Sequence, residues 1–263
     1  MKRILIGCIL LWGVVAHAVP EGTVQSPKKA EVTRGDVKII EATESIRYLS
    51  QKMAKEYLYI CSYPQNAKIK KNLHDTLAQL GKSLQTIAAM TKDEDTNNIL
   101  EFLVYSKEEI LTLLKKKPSS ERALLMLDYS ETLLEGADSI GQTYAYTFSK
   151  EEEMLVASKN VKYLLERISK YYMVLYQGYN TDNNKKNMES AVSELLQYMA
   201  KINSYSYPKD VAHVREKIDV VWFRDKEILQ GVNRYFIPNL LLDSVVYLED
   251  KVDVLALYHS QNL

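Results

Sequence analysis

An all-α fold, built as two tandem up-and-down four-helix bundles related by internal duplication, is predicted by three observations. From Asp36 onward apolar residues recur at three-, four- and seven-residue steps, the stripe of amphipathic helices. Breaks such as Tyr63-Pro64 and Gly178-Tyr179-Asn180 are short, and short connections favour antiparallel neighbours. The third observation is a repeat: Ile46 to Leu84 and Val161 to Met199 superpose without a gap at an offset of 115 residues. Tyr48, Leu49, Lys55, Tyr57, Lys70, Lys71, Asn72 and Leu80 recur as Tyr163, Leu164, Lys170, Tyr172, Lys185, Lys186, Asn187 and Leu195. These 8 identities in 39 positions exceed the roughly two or three expected of unrelated sequences of ordinary composition. The period is longer than that of ordinary solenoids and points to tandem copies of a small domain, at 36–148 and 149–263.

The elements follow in order. Ile39, Ile46, Leu49, Met53, Tyr57 and Ile60 form the stripe of the first helix, and Val161, Leu164, Ile168, Tyr172 and Leu175 form its counterpart. The second helices turn Leu73, Leu77, Leu80, Leu84 and, in the second copy, Met188, Val192, Leu195, Met199 inward. The third helix starts near Asp93, with Thr91 and Glu94 as a capping box, and ends in Lys115-Lys116-Lys117, cations suited to the negative end of a helix dipole. Its counterpart opens at Pro208. Fourth helices run from about Ser120 to Tyr146 and from about Pro238 to the C-terminus, and Ser149 with Glu152 caps the start of the second copy.

Lys2-Arg3, the apolar run Ile4 to Val15 and Ala16-His17-Ala18 read as a signal peptide cleaved after Ala18, which predicts a periplasmic protein. A lipoprotein signal through Cys8 is the alternative, although most of the apolar run follows Cys8. Residues 19–35 lack apolar periodicity and read as a flexible leader. Cleavage would leave Cys61 as a free, buried cysteine, so stability has to come from the core. Lys plus Arg and Asp plus Glu each number 34, a balance that argues against a nucleic-acid partner. His74, His213 and His259 are isolated and no Glu-x-x-His pair occurs, so neither a metal nor a cofactor is expected. With no nucleophile and base adjacent in sequence, no catalytic residue is assigned. Glu151-Glu152-Glu153 suits a helix start. Among 19 tyrosines, Tyr171-Tyr172 and Tyr205-Ser206-Tyr207 are the groups that would form a groove, and Trp222-Phe223 is expected to pack between helices.

Arg47-Tyr48-Leu49-Ser50-Gln51-Lys52-Met53-Ala54-Lys55-Glu56-Tyr57-Leu58 resembles the first-helix signature of the PilJ-type sensor domain of type IV pilus methyl-accepting chemotaxis proteins. The match covers about a dozen residues, and Glu44-Ser45-Ile46 stands where the family usually has Gly-Arg-Gln. The resemblance implies a helical, non-enzymatic sensor that recognises a small anion and docks on a membrane receptor or pilus-associated complex. It implies a ligand role for Arg47, whose guanidinium presents two coplanar donors to an oxyanion. Ser50, Gln51 and Lys52 neighbour it, and Lys162 and Arg167 are the cations of the second copy. In sensors of this type first helices meet across a dimer axis, so the duplication would place Arg47 and Lys162 at one shared site within the chain; further oligomerisation is compatible with this. The alternatives are that these cations are the solvated edges of amphipathic helices, and that the protein is a scaffold binding only protein partners.

Overall fold

The computed structural model describes residues 32–232 and 235–263; the expected signal peptide and most of the expected leader lie outside them. The described residues form eight helices and no strand: α1 (Arg34–Ser62), α2 (Ala67–Met90), α3 (Glu94–Leu114), α4 (Ser120–Thr143), α5 (Lys150–Tyr176), α6 (Asp182–Asn203), α7 (Lys209–Gln230) and α8 (Pro238–Ser260). None is long and apolar enough to cross a membrane.

Local chemistry sets the boundaries. Thr33 and Asp36 form a reciprocal cap at α1, so the helix begins two residues before the expected start, and Ser149 with Glu152 does the same at α5. At α3 the cap is Asp93, which accepts from Thr96 N at 2.7 Å; Thr91 instead ends α2. The lysine triplet begins at the cap residue Lys115, just beyond the last turn of α3. The α5–α6 turn needs a positive φ of 88°, supplied by Gly178.

α1 packs on α2 and α4, α2 on α3, and α3 on α4, closing a ring of four. In the second half α5 packs on α6 and α8, and α7 on α8, leaving the α6–α7 side more open. α1 also packs extensively on α5, so Val32–Leu263 is one compact unit whose buried apolar residues form one cluster through both halves.

The α1–α5 seam is parallel and in register. From one end to the other, Lys159 meets Glu44, Arg47 meets Asn160, Arg167 meets Gln51, Lys55 meets Glu166, and Gln177 meets Ser62. Thr43 beside Gly141, Arg47 with Asp138 and Gln51 toward Ser130 show that α4 runs antiparallel to α1. The residues 115 apart in sequence thus stand at the same height on opposite sides of the seam.

Candidate functional site

The six predicted site residues lie along this seam and fall into groups. Arg47 is half-buried: Nε lies 2.7 Å from Asp138, Nη1 donates to Asn160 Oδ1 at 2.9 Å, and the guanidinium sits 4.3 Å from the centre of the Tyr163 ring. Lys162, at the corresponding position of α5, donates to both Asp253 oxygens at 2.7 and 2.8 Å and lies 5.2 Å from the centre of the Tyr48 ring. Each cation therefore covers the tyrosine of the opposite helix and is held by a different aspartate. They are reciprocal, and they do not converge on one shared site. Burial keeps Asp138 above the usual carboxylate range even with Arg47 against it.

Lys52 donates to the Tyr48 hydroxyl at 3.0 Å, and that hydroxyl donates to Glu249 at 3.2 Å. Buried Ser50 donates to the Arg47 carbonyl and accepts from Gln51. Gln51 accepts from Arg167, which also donates to Glu131 at 2.9 Å. The predicted cations thus spend their charge on protein acceptors.

Deeper in the seam is a set of ionisable residues that the repeat had marked only as shared pattern. Lys55 and Lys170 are both buried. Lys55 is 2.8 and 2.5 Å from the two oxygens of Glu166. Burial works to lower its pKa, but Glu166, Glu249 and Glu56 outweigh burial and hold the ammonium above its ordinary value. Glu56 accepts from Thr76 at 2.9 Å, and burial pushes it up to about 7 against the pull of Lys55. Burial pushes Glu249 up to about 8, with Glu166 adding to the effect; one of its oxygens is buried without a hydrogen-bond partner. Lys170 is paired with Glu131, yet burial brings it down to about 8, and Arg167 adds to that. Glu131 itself is held below the usual range: burial would raise it, and Lys170 and Arg167 prevail.

Two further places matter. At one end of the second half, buried His259 bridges Glu151 (2.7 Å) and the Tyr207 hydroxyl (3.0 Å), and Tyr205 donates to the same Glu151 at 2.6 Å. His259 is therefore not isolated, and the Tyr205–Tyr207 pair packs around it instead of opening a groove. With both ring nitrogens engaged, this cluster ties α8 to the start of α5. Trp222 is buried as expected, but its neighbour Phe223 is 67% exposed.

The second place is a groove of about 750 Å³ between α2 and α3. Tyr57, Leu73, Leu77 and Leu111 line its apolar floor, and Lys70, Lys115 and Lys116 line its rim. Tyr57 is buried with its hydroxyl beside the half-buried Cys61 thiol; burial, with the thiol adding, pushes the phenol up to about 12. Burial likewise lifts Cys61 to about 11, leaving the thiol unreactive at neutral pH. No family model, curated protein or solved structure matches the chain.

Proposed function

We propose that the chain is an exported, non-enzymatic recognition protein of PilJ-like helical modules, whose α1–α5 seam is an internal clasp and whose α2–α3 groove receives the ligand. The observation that carries this reading is the contrast in saturation. Arg47, Lys162 and Arg167 are held by Asp138, Asp253 and Glu131, whereas the groove is open, apolar at its base and edged by lysines. Its volume lies within the roughly 300–1,000 Å³ of small-molecule sites. A small anion at Arg47 would have to displace Asp138, so the seam is the weaker place for a ligand. Docking on a membrane receptor or pilus-associated complex would pass the signal on.

A second reading, a scaffold for protein partners alone, draws on exposed Phe102 and Tyr105 of α3 and exposed Val220 and Phe223 of α7. Thermal unfolding against small anions, amino acids and amphiphiles at constant ionic strength separates the two. A ligand at about 100 times its dissociation constant adds about 2.7 kcal/mol. The groove reading expects a shift that Leu77→Trp abolishes and Arg47→Ala leaves in place. A shift lost only in Arg47→Ala returns the site to the seam, and no shift with any compound favours the scaffold.

A further inference from the structure

Tyr57 and Tyr172 are the same residue at corresponding positions of α1 and α5, and they end differently. The Tyr172 hydroxyl accepts from the Ile237 backbone N–H at 2.7 Å, and Phe236 packs edge-on against its ring at 5.4 Å. Phe236 and Ile237, just before α8, thus meet this tyrosine with one apolar group and one polar contact. The corresponding connection in the first half, Lys115–Ser119, does not do this. Arg122 holds it instead, donating to the Lys117 carbonyl at 2.7 Å and to Ser119 Oγ at 3.1 Å. Tyr57 stays buried at the wall of the groove, its hydroxyl beside the Cys61 thiol.

The groove also has a polarity. Leu73 and Leu77 are buried beneath it. Lys107 on its side is neutralised by Glu108 at 2.8 Å, whereas Lys70, Lys115 and Lys116 make no ion pair among the described residues. An apolar floor beside three unpaired ammonium groups complements a molecule with a long apolar body and an anionic end.

Resting on the groove reading above, we propose that the α2–α3 groove binds a free single-chain anionic amphiphile, a long-chain carboxylate, with its alkyl chain along Leu73, Leu77 and Leu111 and its head at Lys70, Lys115 and Lys116. The positive rim fixes which end of the molecule lies at the α3–α4 connection.

The test is titration of the full chain with dodecanoate below its critical micelle concentration and with dodecanol below its solubility limit, read by calorimetry. It is repeated on Leu77→Trp, on Lys70→Gln/Lys115→Gln/Lys116→Gln, and on a Lys185→Gln/Lys186→Gln control in the second half. The expected result is saturable binding of dodecanoate, weaker by about tenfold for dodecanol and for the triple variant on dodecanoate, lost in Leu77→Trp and unchanged in the control. Equal binding of acid and alcohol, both lost in Leu77→Trp, overturns the anionic class and leaves the groove as the site. Binding untouched by Leu77→Trp, or no binding to the wild type, overturns the proposal at this groove. Cosedimentation with phosphatidylglycerol vesicles in the absence of free-acid binding overturns it in favour of a membrane surface. Circular dichroism confirms that each variant is folded, and Leu77→Phe serves in place of Leu77→Trp where the larger ring prevents folding.

Discussion

Lys55 and Lys170 occupy corresponding positions on α1 and α5, and both are buried, yet their surroundings pull them in opposite directions. Around Lys55 stand three carboxyl groups, from Glu166, Glu56 and Glu249, and the ammonium is held charged. Around Lys170 there is one, Glu131, shared with Arg167, and the ammonium is brought down to about 8. The same side chain in the same register serves as the hub of an acidic cluster on one side and as a more weakly held ammonium on the other. Burial alone does not decide a lysine's charge; the number of carboxylates sharing its site does.

The largest effect is expected where that comparison is broken outright. Glu166→Leu deprives Lys55 of its direct partner and should cost about 3–5 kcal/mol in denaturant unfolding. Glu131→Leu should cost less, about 1–3 kcal/mol, because Lys170 releases its proton at little expense. Equal losses would mean that the two lysines are not distinguished by their neighbours.

The tyrosine pair gives the next contrast. Tyr172→Phe strands the Ile237 N–H and should cost about 1–3 kcal/mol, whereas Tyr57→Phe removes a hydroxyl set against the weakly hydrogen-bonding Cys61 thiol and should stay within about 0.5 kcal/mol of the wild type. A comparable loss in both would mean that the Tyr57–Cys61 contact is as strong as the hydrogen bond from Ile237.

The acidic cluster also makes a pH signature. Glu56 and Glu249 titrate near 7 and 8 in the folded chain, against the ordinary 4.5, so the folded state keeps protons that the unfolded state releases. Their stabilising contribution is complete below about pH 4.5 and is lost as pH rises toward 8, at about 1.4 kcal/mol per pH unit for each retained proton. Unfolding midpoints measured from pH 5 to 8 should fall, and Glu249→Gln should flatten the fall. An unchanged slope in that variant would place the retained proton elsewhere. The smallest effect is expected at the edge of the seam: Lys162→Ala, which breaks a partly exposed pair with Asp253, should cost no more than about 1 kcal/mol, and less in high salt.

The all-helical fold was legible because each helix writes its own apolar stripe and its own punctuation, as Pro64, Gly178 and the Ser149–Glu152 cap demonstrate. Asp93 was missed as a cap because Thr91, two residues earlier, is equally a capping residue type, and geometry selects between them. Phe223 follows Trp222 in sequence, but on a helix adjacent residues point about 100° apart, so one is buried and the other exposed. At the seam, the repeat of Lys55 as Lys170 inside an apolar pattern was the available signal of buried charge. Which carboxylate each lysine meets depends on contacts about 40 to 110 residues away, as does the meeting of His259 with Glu151. The groove was not legible either, since it is a property of the spacing between α2 and α3.

One difference across the seam has a further effect. Glu166 of α5 corresponds to Gln51 of α1, so the carboxylate that meets Lys55 comes from the other half. Two first halves laid together in the same register would set each Lys55 against an amide, with a buried cation on both sides of the contact. Mixing separately expressed 32–148 and 149–263 should therefore yield a one-to-one complex in preference to a self-paired first half, read by analytical ultracentrifugation; a stable dimer of 32–148 would contradict this. On these terms a single amide-for-acid difference sets the first half against pairing with itself.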